Sequence, residues 1–145
     1  MTFIAGCGRV LRCGIQTAAV AYCIVEFGVD FVICSGASME PTIRTRDIIL
    51  TEHLSINLKN VRRGDIVVSK SPSDPLQFVC KRVTGLPGDR PSRTVVPVGH
   101  VWLQGDNHEN STDSRAYGPV PMGLLRGRAM CRVWPPERAT VFTRR

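Results

Sequence analysis

Ser38 carries the hydroxyl whose surroundings best favour nucleophilic chemistry. It lies in the segment SGASMEPTI, residues 35–43, shortly before Glu40 and Pro41. A proline biases the residue before it toward an extended backbone, so we expect a rigid turn that exposes the serine. A serine hydroxyl is a poor nucleophile until a neighbour removes its proton. The segment therefore predicts catalysis only if the chain also supplies a base.

Lys81 is the best candidate for that base. In the strand-like run QFVCKRV, the two-residue period places Lys81 on one face together with Val79 and Val83. Apolar surroundings disfavour the charged form and can lower a lysine pKa by up to 3–5 units from about 10.4. A shift of about 3 units makes the neutral amine, which accepts a proton, a major species near pH 7. The alternatives are a lysine that snorkels to water, or Lys70, which ends its strand where water reaches it.

The polar loop GDNHENSTDSR, residues 105–115, places Ser111, Asp113 and Arg115 at a spacing of two. This spacing allows the three side chains to project in one direction. We expect Asp113 and Arg115 to form a fork-type ion pair that rigidifies the loop and leaves the Ser111 hydroxyl to orient an amine. Without a nucleophile and a base elsewhere, the same loop would be interpreted simply as a turn.

Histidines and cysteines give no comparable pattern. No sequence context marks a base among the three histidines, which are His53, His100 and His108. The six cysteines contain no CxxC pair, so neither a zinc site nor a thioredoxin-like motif is indicated. Four of them fall in the first 34 residues among Ala, Val and Ile, where we expect them to pack as small hydrophobes. Whether any cysteines are paired stays open.

The composition is that of one packed domain. The chain has 145 residues, of which 43% are hydrophobic and 21% charged, and this excludes disorder and coiled coil. Aromatic residues make up only 6%, which disfavours proteins that stack nucleic-acid bases on aromatic rings. No glycine motif for a nucleotide is present. We therefore expect neither nucleic acid as a partner nor a nucleotide cofactor.

Beyond residue 35, short β-type runs separated by turn residues predict a mainly β domain. The predicted strands are DIILTE (47–52), GDIVVSK (64–70), LQFVCKRVT (76–84), TVVPV (94–98), HVWLQ (100–104) and RGRAMCRVW (126–134). We accordingly divide the chain into an N-terminal segment, residues 1–34, and a catalytic domain, residues 35–145.

The N-terminal segment predicts a membrane anchor. Residues 13–25 are uncharged, and the apolar stretch reaches the length that crosses a bilayer when it is extended to about residues 10–34. Two arginines lie near its start, and Glu26 and Asp30, four apart on one helical face, lie near its end. The positive-inside rule then sends the rest of the chain across the membrane. An AxA-like site is absent, which disfavours a cleavable signal peptide, and a buried amphipathic helix is the alternative.

The positive charge is concentrated at the other end of the chain. The net charge is +7, and the last 24 residues contribute +5 of it, from six arginines and one glutamate. Such a cluster lies against an anionic partner or forms a solvated face. Because of the predicted anchor, we favour anionic lipid as the partner.

Four segments together carry a family resemblance. They are SGASMEPTI (35–43), RRGDIVV (62–68), KRVTGLPGD (81–89) and GDNHENSTDSR (105–115). Their order and spacing resemble those of the type I signal peptidase family. Three features resemble those of the mitochondrial inner-membrane branch of that family in particular. They are the short chain, the single predicted anchor and the segment NSTDSRAYGPVP.

The resemblance implies a role for each candidate residue. Ser38 would be the nucleophile, with its own backbone N–H in the oxyanion hole, and Lys81 the general base. Ser111 would contact the lysine amine, while Asp113 and Arg115 brace the site.

One position departs from the family pattern. Many bacterial members have a serine two residues before the nucleophile that adds a hydroxyl to the oxyanion hole, and this chain has Gly36 there. The second oxyanion donor is therefore left open. The resemblance also implies a mainly β catalytic domain that lies on the membrane and uses no metal or organic cofactor.

These observations predict a membrane-bound serine endopeptidase with a Ser/Lys dyad. Its substrates would be precursor proteins from which it removes hydrophobic sorting peptides during delivery to the mitochondrial intermembrane space. The resemblance implies two partners, inner mitochondrial membrane lipid and a sister protease subunit in a hetero-oligomer.

Two alternatives come from other classes of protein. A non-catalytic membrane scaffold subunit would not need the intact set of Ser38, Lys81 and Ser111. A self-cleaving DNA-bound regulator would need a helix-turn-helix domain before Ser38, where this chain has only a short apolar segment.

Overall fold

The computed structural model describes residues 13–22 and 28–144. Helix α1 covers residues 13–22 among these, and two single-turn helices follow, α2 (Leu54–Asn57) and α3 (Ser114–Tyr117). The strands are β1 (Val29–Ile33), β2 (Ile48–Glu52), β3 (Ile66–Lys70), β4 (Phe78–Gly85), β5 (His100–Gln104), β6 (Val120–Pro121), β7 (Leu125–Trp134) and β8 (Thr140–Val141). Short 3-10 turns occupy His108–Asn110, Met122–Leu124 and Pro136–Arg138. The prediction of a mainly β fold is confirmed.

The strands form an antiparallel sheet in the order β1-β2-β7-β3-β4-β5-β6, and β8 pairs with β7. The long strand β7 pairs with both β2 and β3 and therefore joins the two halves of the sheet. Register shifts interrupt the β2–β7 ladder at two places, between Ile48 and Ile49 and between Leu50 and Thr51. Such irregularities bend strands and increase the local twist, so the sheet curls.

Two clusters of buried apolar side chains stabilise the sheet. The first contains Cys34, Met39, Ile43, Ile49, Ile66, Val68 and Ala129. The second contains Val61, Val67, Val83, Val101, Leu103, Val120 and Leu125. Strand β3 supplies both clusters, because its side chains alternate between the two faces of the sheet. The fully buried start of β3 is thus the seam between the two clusters.

Most predicted strands are found, and one is wrong. The run TVVPV, residues 94–98, forms no strand. The backbone of Val96 bonds instead to the neighbouring turn, donating to the Asp89 carbonyl at 2.9 Å and accepting from Gly88 N–H at 2.9 Å. Pro97 has no N–H to give to a ladder. Val96 is buried while the residues around it are exposed. The apolar run that suggested a strand is therefore a loop anchored by one valine side chain.

The predicted anchor of about residues 10–34 is wrong at its C-terminal end. Val29–Ile33 form β1, which pairs along its whole length with β2 at one edge of the sheet. Asp30 therefore lies on a strand and not on a helical face shared with Glu26. The β-branched residues of VDFVI favour this outcome. The sheet thus begins before residue 35.

The rest of the predicted anchor lies partly outside the described residues, which do not include 1–12 and 23–27. Within the part of the chain that the structure describes, no helix has both the length and the apolar character to cross a bilayer.

The C-terminal arginines are largely engaged in ion pairs. Arg132 and Arg138 both contact Asp47, at 3.2 and 2.6 Å. Arg128 contacts Glu52 at 2.8 Å, and Arg144 contacts Asp65 at 2.7 Å. Four of the six arginines that suggested a lipid-binding face thus have acidic partners within the fold.

Candidate active site

Ser38 and Lys81 line the same cleft, which has a volume of about 330 Å³. Ser38 lies in the turn between β1 and β2. The next side chain, Met39, is buried in the first apolar cluster and fixes the turn to the core. The Met39 carbonyl also accepts from Ile43 N–H at 2.9 Å. The serine is therefore held on a short, anchored turn, as its sequence context predicted.

Lys81 is buried in the middle of β4, with only 3% of its surface exposed. Its neighbour on the same face, Val83, is fully buried, which confirms the predicted apolar face. Burial lowers the pKa of Lys81, while the charge of Asp113 opposes that shift in part. No carboxylate lies within salt-bridge distance of this amine among the described residues. Burial therefore shifts the amine toward its neutral form, which is the form that accepts a proton.

Asp113 and Arg115 form the predicted fork. Arg115 donates through Nε to Asp113 Oδ1 and through Nη2 to Asp113 Oδ2, each at 2.8 Å. Asp113 is fully buried, and Gly105 N–H also donates to its Oδ2 at 2.9 Å. Burial alone would raise the pKa of Asp113, but the hydrogen bonds that it accepts outweigh burial and hold its pKa far below the usual range. Asp113 is thus a fixed negative charge.

Ser111 donates its hydroxyl proton to Asp113 Oδ2 at 2.8 Å. This donor is therefore engaged, and the hydroxyl oxygen keeps its lone pairs for an amine. Sequence reasoning left open whether Ser111 donates to a neutral lysine or accepts from it. The bond to Asp113 favours acceptance. The next residue, Thr112, lines the cleft and brings this loop to its edge.

Gly105 is a site residue that sequence reasoning missed. A Cβ at this position would overlap both the Ser111 hydroxyl and the Ser38 carbonyl oxygen. The absence of a side chain at Gly105 therefore allows the turn that carries Ser38 and the polar loop to approach each other. The only signal in the sequence was its place as the first residue after β5, which by itself indicates just a turn.

Asp106, Asn107 and Arg82 were missed as well. Asn107 donates from its backbone N–H to the Ser38 carbonyl at 3.0 Å and from its side-chain amide to the Ala37 carbonyl at 3.1 Å. Arg82 forms a bidentate pair with Asp106 at 2.8 and 2.7 Å. Asp106 in turn accepts from the Thr42 hydroxyl at 2.6 Å. These contacts join the turn that carries Ser38, β4 and the polar loop into one unit.

The other candidates lie in different surroundings. Gly36 lines the cleft and has a φ of +92°, a backbone conformation that favours glycine. Lys70 is exposed, in agreement with its lower rank as a base. His53 is buried away from the cleft residues, with Nε2 3.0 Å from Asp30 Oδ2. Among the described residues, no group of three or more His, Cys, Asp or Glu side chains could hold a metal ion.

Comparison with known proteins finds a consistent group of relatives. The signal peptidase family, peptidase S26, matches residues 7–92 and 90–134. Mitochondrial inner membrane protease subunit 1 of Homo sapiens is 50% identical over 137 residues, which cover 88% of this chain and 82% of that protein. The Xenopus tropicalis subunit 1 is 53% identical over 133 residues, 85% of this chain and 80% of that protein. Subunit 2 of Danio rerio is 44% identical over 115 residues, 71% of this chain and 63% of that protein.

Proposed function

Because the chain belongs to the signal peptidase family, peptidase S26, we propose that it uses a Ser38/Lys81 dyad to remove sorting peptides from membrane-delivered precursors. Family membership and the similarity to mitochondrial inner membrane protease subunits make the protein a serine peptidase of the signal peptidase type. The resemblance expected from the four sequence segments is thereby confirmed. The observation that carries the residue assignment is the buried Lys81 amine in the same cleft as Ser38.

In the proposed mechanism, Ser38 Oγ attacks the scissile carbonyl while neutral Lys81 takes the serine proton. Lys81 then protonates the leaving amine, and water releases the acyl group by the reverse sequence. Asp113 would act through Ser111, since it accepts the Ser111 hydroxyl proton and leaves the hydroxyl oxygen to accept from the lysine amine. These three side chains and Ser38 would therefore act as one catalytic unit.

The oxyanion of the tetrahedral intermediate would be stabilised by the backbone N–H of Ser38. No acceptor for this N–H is found in the part of the chain that the structure describes. Asn107 holds the Ser38 carbonyl and so orients the turn that presents the N–H. Such a donor typically contributes about 3–4 kcal/mol to transition-state stabilisation.

The cleft is suited to an extended, apolar substrate segment. Strand β5 pairs with β4 only from Arg82 onward, so residues 78–81 have one edge without a strand partner among the described residues. A free strand edge can hydrogen-bond an extended peptide along its backbone. Ile33 and Phe78 also line the cleft and are 72% and 52% exposed. We infer that the substrate backbone runs along β4 past Lys81 and that its apolar side chains contact this rim.

The proposed setting is the inner mitochondrial membrane, with the catalytic domain on the intermembrane-space side and bound to a sister subunit. The relatives are named as inner membrane protease subunits 1 and 2, which supports the membrane and a second subunit. The exposed apolar rim of the cleft supports contact with lipid. The orientation is tested by adding protease to mitochondria with a ruptured outer membrane. Digestion of the domain is expected, and full protection would place it in the matrix.

The decisive experiment compares wild type and Ser38→Ala in matched membranes on a membrane-bound precursor that carries a sorting peptide. Wild type should cleave the precursor, and Ser38→Ala should leave it intact while remaining folded. Ser35→Ala is a suitable control, since Ser35 lines the same cleft and has no proposed chemical role. Equal cleavage by wild type and Ser38→Ala would exclude the dyad and favour a scaffold subunit.

A further inference from the structure

Two thiols lie beside the proposed dyad and take no part in its mechanism. Cys34 precedes Ser38 by four residues, and Cys80 directly precedes Lys81. Both thiols line the cleft. Cys34 belongs to the first buried cluster, Cys80 packs against that cluster, and both are free cysteines. The fold therefore brings together two thiols from the two segments that carry the dyad.

The interaction between the two thiols shifts their pKa values in opposite directions. Interaction with the Cys80 thiol lowers the pKa of Cys34. The same interaction, together with burial, raises the pKa of Cys80 well above its ordinary value. The sulfur with more thiolate character reacts first with an oxidant, and a neighbouring thiol then resolves the product. These directions favour Cys34 as the attacking thiol and Cys80 as the resolving thiol.

We propose that Cys34 and Cys80 form an oxidation site, in which a disulfide between them reversibly blocks the cleft. The oxidant is a hydroperoxide. Formation of the disulfide requires only the two thiols, whereas the loss of cleavage rests on the proposed function.

The chemistry takes place in two balanced steps. The Cys34 sulfur attacks the terminal oxygen of the hydroperoxide, the O–O bond breaks, and the leaving oxygen takes the thiol proton as water or an alcohol. Cys34 is then a sulfenic acid, oxidised by two electrons, and the peroxide is reduced by two. The Cys80 sulfur attacks the Cys34 sulfur, an S–S bond forms, the S–O bond breaks, and hydroxide leaves with the Cys80 proton as water.

The disulfide would act on the geometry of the dyad. An S–S bond of about 2.05 Å draws the start of the Ser38 turn toward β4, next to Lys81. It also alters the wall of the cleft where substrate would lie. Since a displacement of about 1 Å in a catalytic group can reduce the rate about a hundredfold, we expect at least about a tenfold loss of cleavage.

The test uses the full-length protein in lipid vesicles, treated with hydrogen peroxide and then with a thiol alkylating reagent. Mass spectrometry should find a bond between the peptides that contain Cys34 and Cys80. Cleavage of a precursor by the same sample should fall at least about tenfold and recover with dithiothreitol. Cys131→Ser is the matched control, because Cys131 is another half-buried free cysteine and does not line the cleft. This variant should keep the wild-type sensitivity to peroxide.

Cys34→Ser and Cys80→Ser are each compared with their own untreated activity, and both should lose the reversible inhibition. Recovery of Cys34 and Cys80 fully alkylated from peroxide-treated wild type would overturn the inference. A mapped bond with unchanged cleavage, or reversible inhibition that persists in either serine variant, would also overturn it. If reduced wild type cleaves no precursor, the proposed function fails, and the mapped bond alone then decides the existence of the oxidation site.

Discussion

Asp47 and Lys81 are both buried charged residues, yet the fold surrounds them in opposite ways. Asp47 is fully buried and has two cationic partners, Arg132 at 3.2 Å and Arg138 at 2.6 Å. It also accepts from the backbone N–H of Arg44 at 2.9 Å. Lys81 is buried to a similar degree, but apolar side chains share its face and no carboxylate forms an ion pair with it among the described residues.

The difference separates a buried charge that stabilises the fold from a buried group that could take part in proton transfer. A buried charge with partners and hydrogen bonds stays ionised and holds chain segments together, and removal of one partner destabilises the protein. A buried amine without such a partner is pushed toward its neutral form, and a neutral amine can take a proton. Asp47 and its two arginines fix the end of the turn that carries Ser38, since Arg132 also donates to the Thr42 carbonyl at 2.7 Å. Lys81 is buried without such a partner among the described residues, as the proposed general base requires.

The loop that carries Asp113 places a fully paired carboxylate where its charge acts on the Lys81 amine. Asp113 is fully paired, like Asp47, yet its charge acts on Lys81 and raises the lysine pKa in partial opposition to burial. Ser111 is bonded to this carboxylate through its hydroxyl proton, and its oxygen keeps lone pairs that can accept from an amine. A fixed charge and a titratable amine are therefore combined in one site.

The sharpest test of this comparison replaces the lysine itself. Lys81→Met should reduce cleavage at least about a thousandfold, because residues that act as a unit lose nearly all activity when one is removed. The double variant with Ser38→Ala should be no less active than either single variant. Lys70→Met is the control, since Lys70 is exposed at the end of β3 and should keep near wild-type activity. More than a few per cent of residual cleavage in Lys81→Met would indicate another base.

Asp47→Ala tests whether the buried, paired charge stabilises the fold. Removal of the carboxylate leaves two arginines without their partner, and breaking a buried ion pair in this way typically costs about 3–5 kcal/mol of unfolding free energy. Denaturant unfolding measures the loss, and cleavage per folded molecule should fall far less than in Lys81→Met. Glu137→Ala, at an exposed position, should change stability by less than about 0.5 kcal/mol. An Asp47→Ala protein as stable as wild type would remove the structural role of the pair.

Ser111→Ala tests the proposed link between the fixed charge of Asp113 and the titratable amine of Lys81. We expect the cleavage rate to fall severalfold or more, because the amine loses the acceptor that orients it. Cleavage by wild type should rise with pH along one ionisation, with a midpoint below the ordinary lysine value of 10.5, since burial lowers the pKa of Lys81. In Ser111→Ala the midpoint should stay below that value. A midpoint restored to 10.5 would mean that Ser111, and not burial, sets the pKa.

The smallest effect concerns stability. The folded pKa of Lys81 lies below its unfolded value, so the buried amine destabilises the fold most at pH values below the folded pKa. This penalty fades as the pH rises toward 10.5 and is absent above it. Lys81→Met should therefore melt a few degrees higher than wild type at neutral pH, and the difference should shrink as the pH rises. A lower melting temperature would mean that Lys81 is a charged and satisfied structural residue.

Much of the proposed site could be predicted from the sequence, because its parts are local. Ser38 is followed by Pro41 on one short turn, and the alternation around Lys81 fixes which face of the strand it occupies. Asp113 and Arg115 are two residues apart, so their fork needs only the conformation of one loop. The strand positions also follow from short-range patterns, except for β1, residues 94–98 and the very short strands.

The contacts that escaped prediction all join residues that are far apart in the chain. Gly105 carries no sign of its role until the Ser38 carbonyl and the Ser111 hydroxyl are placed against it. Asp106 meets Arg82 and Thr42 across 24 and 64 residues of chain. β1 was taken for the end of a helix because an apolar run of that length fits either structure, and only its pairing with β2 distinguishes them.

Sequence alone thus determined the chemical types and the local order of this protein: a serine on a turn, a lysine on an apolar strand face, and an Asp–Arg fork in a polar loop. Tertiary structure decided which of the buried charges are paired and which is left to titrate. The physical reason is that desolvation and ion pairing depend on every atom within a few ångströms, whatever its position in the chain. Asp47 and Lys81 are both charged residues in the sequence, and only the fold shows that Asp47 has two arginine partners and that Lys81 has no carboxylate partner among the described residues.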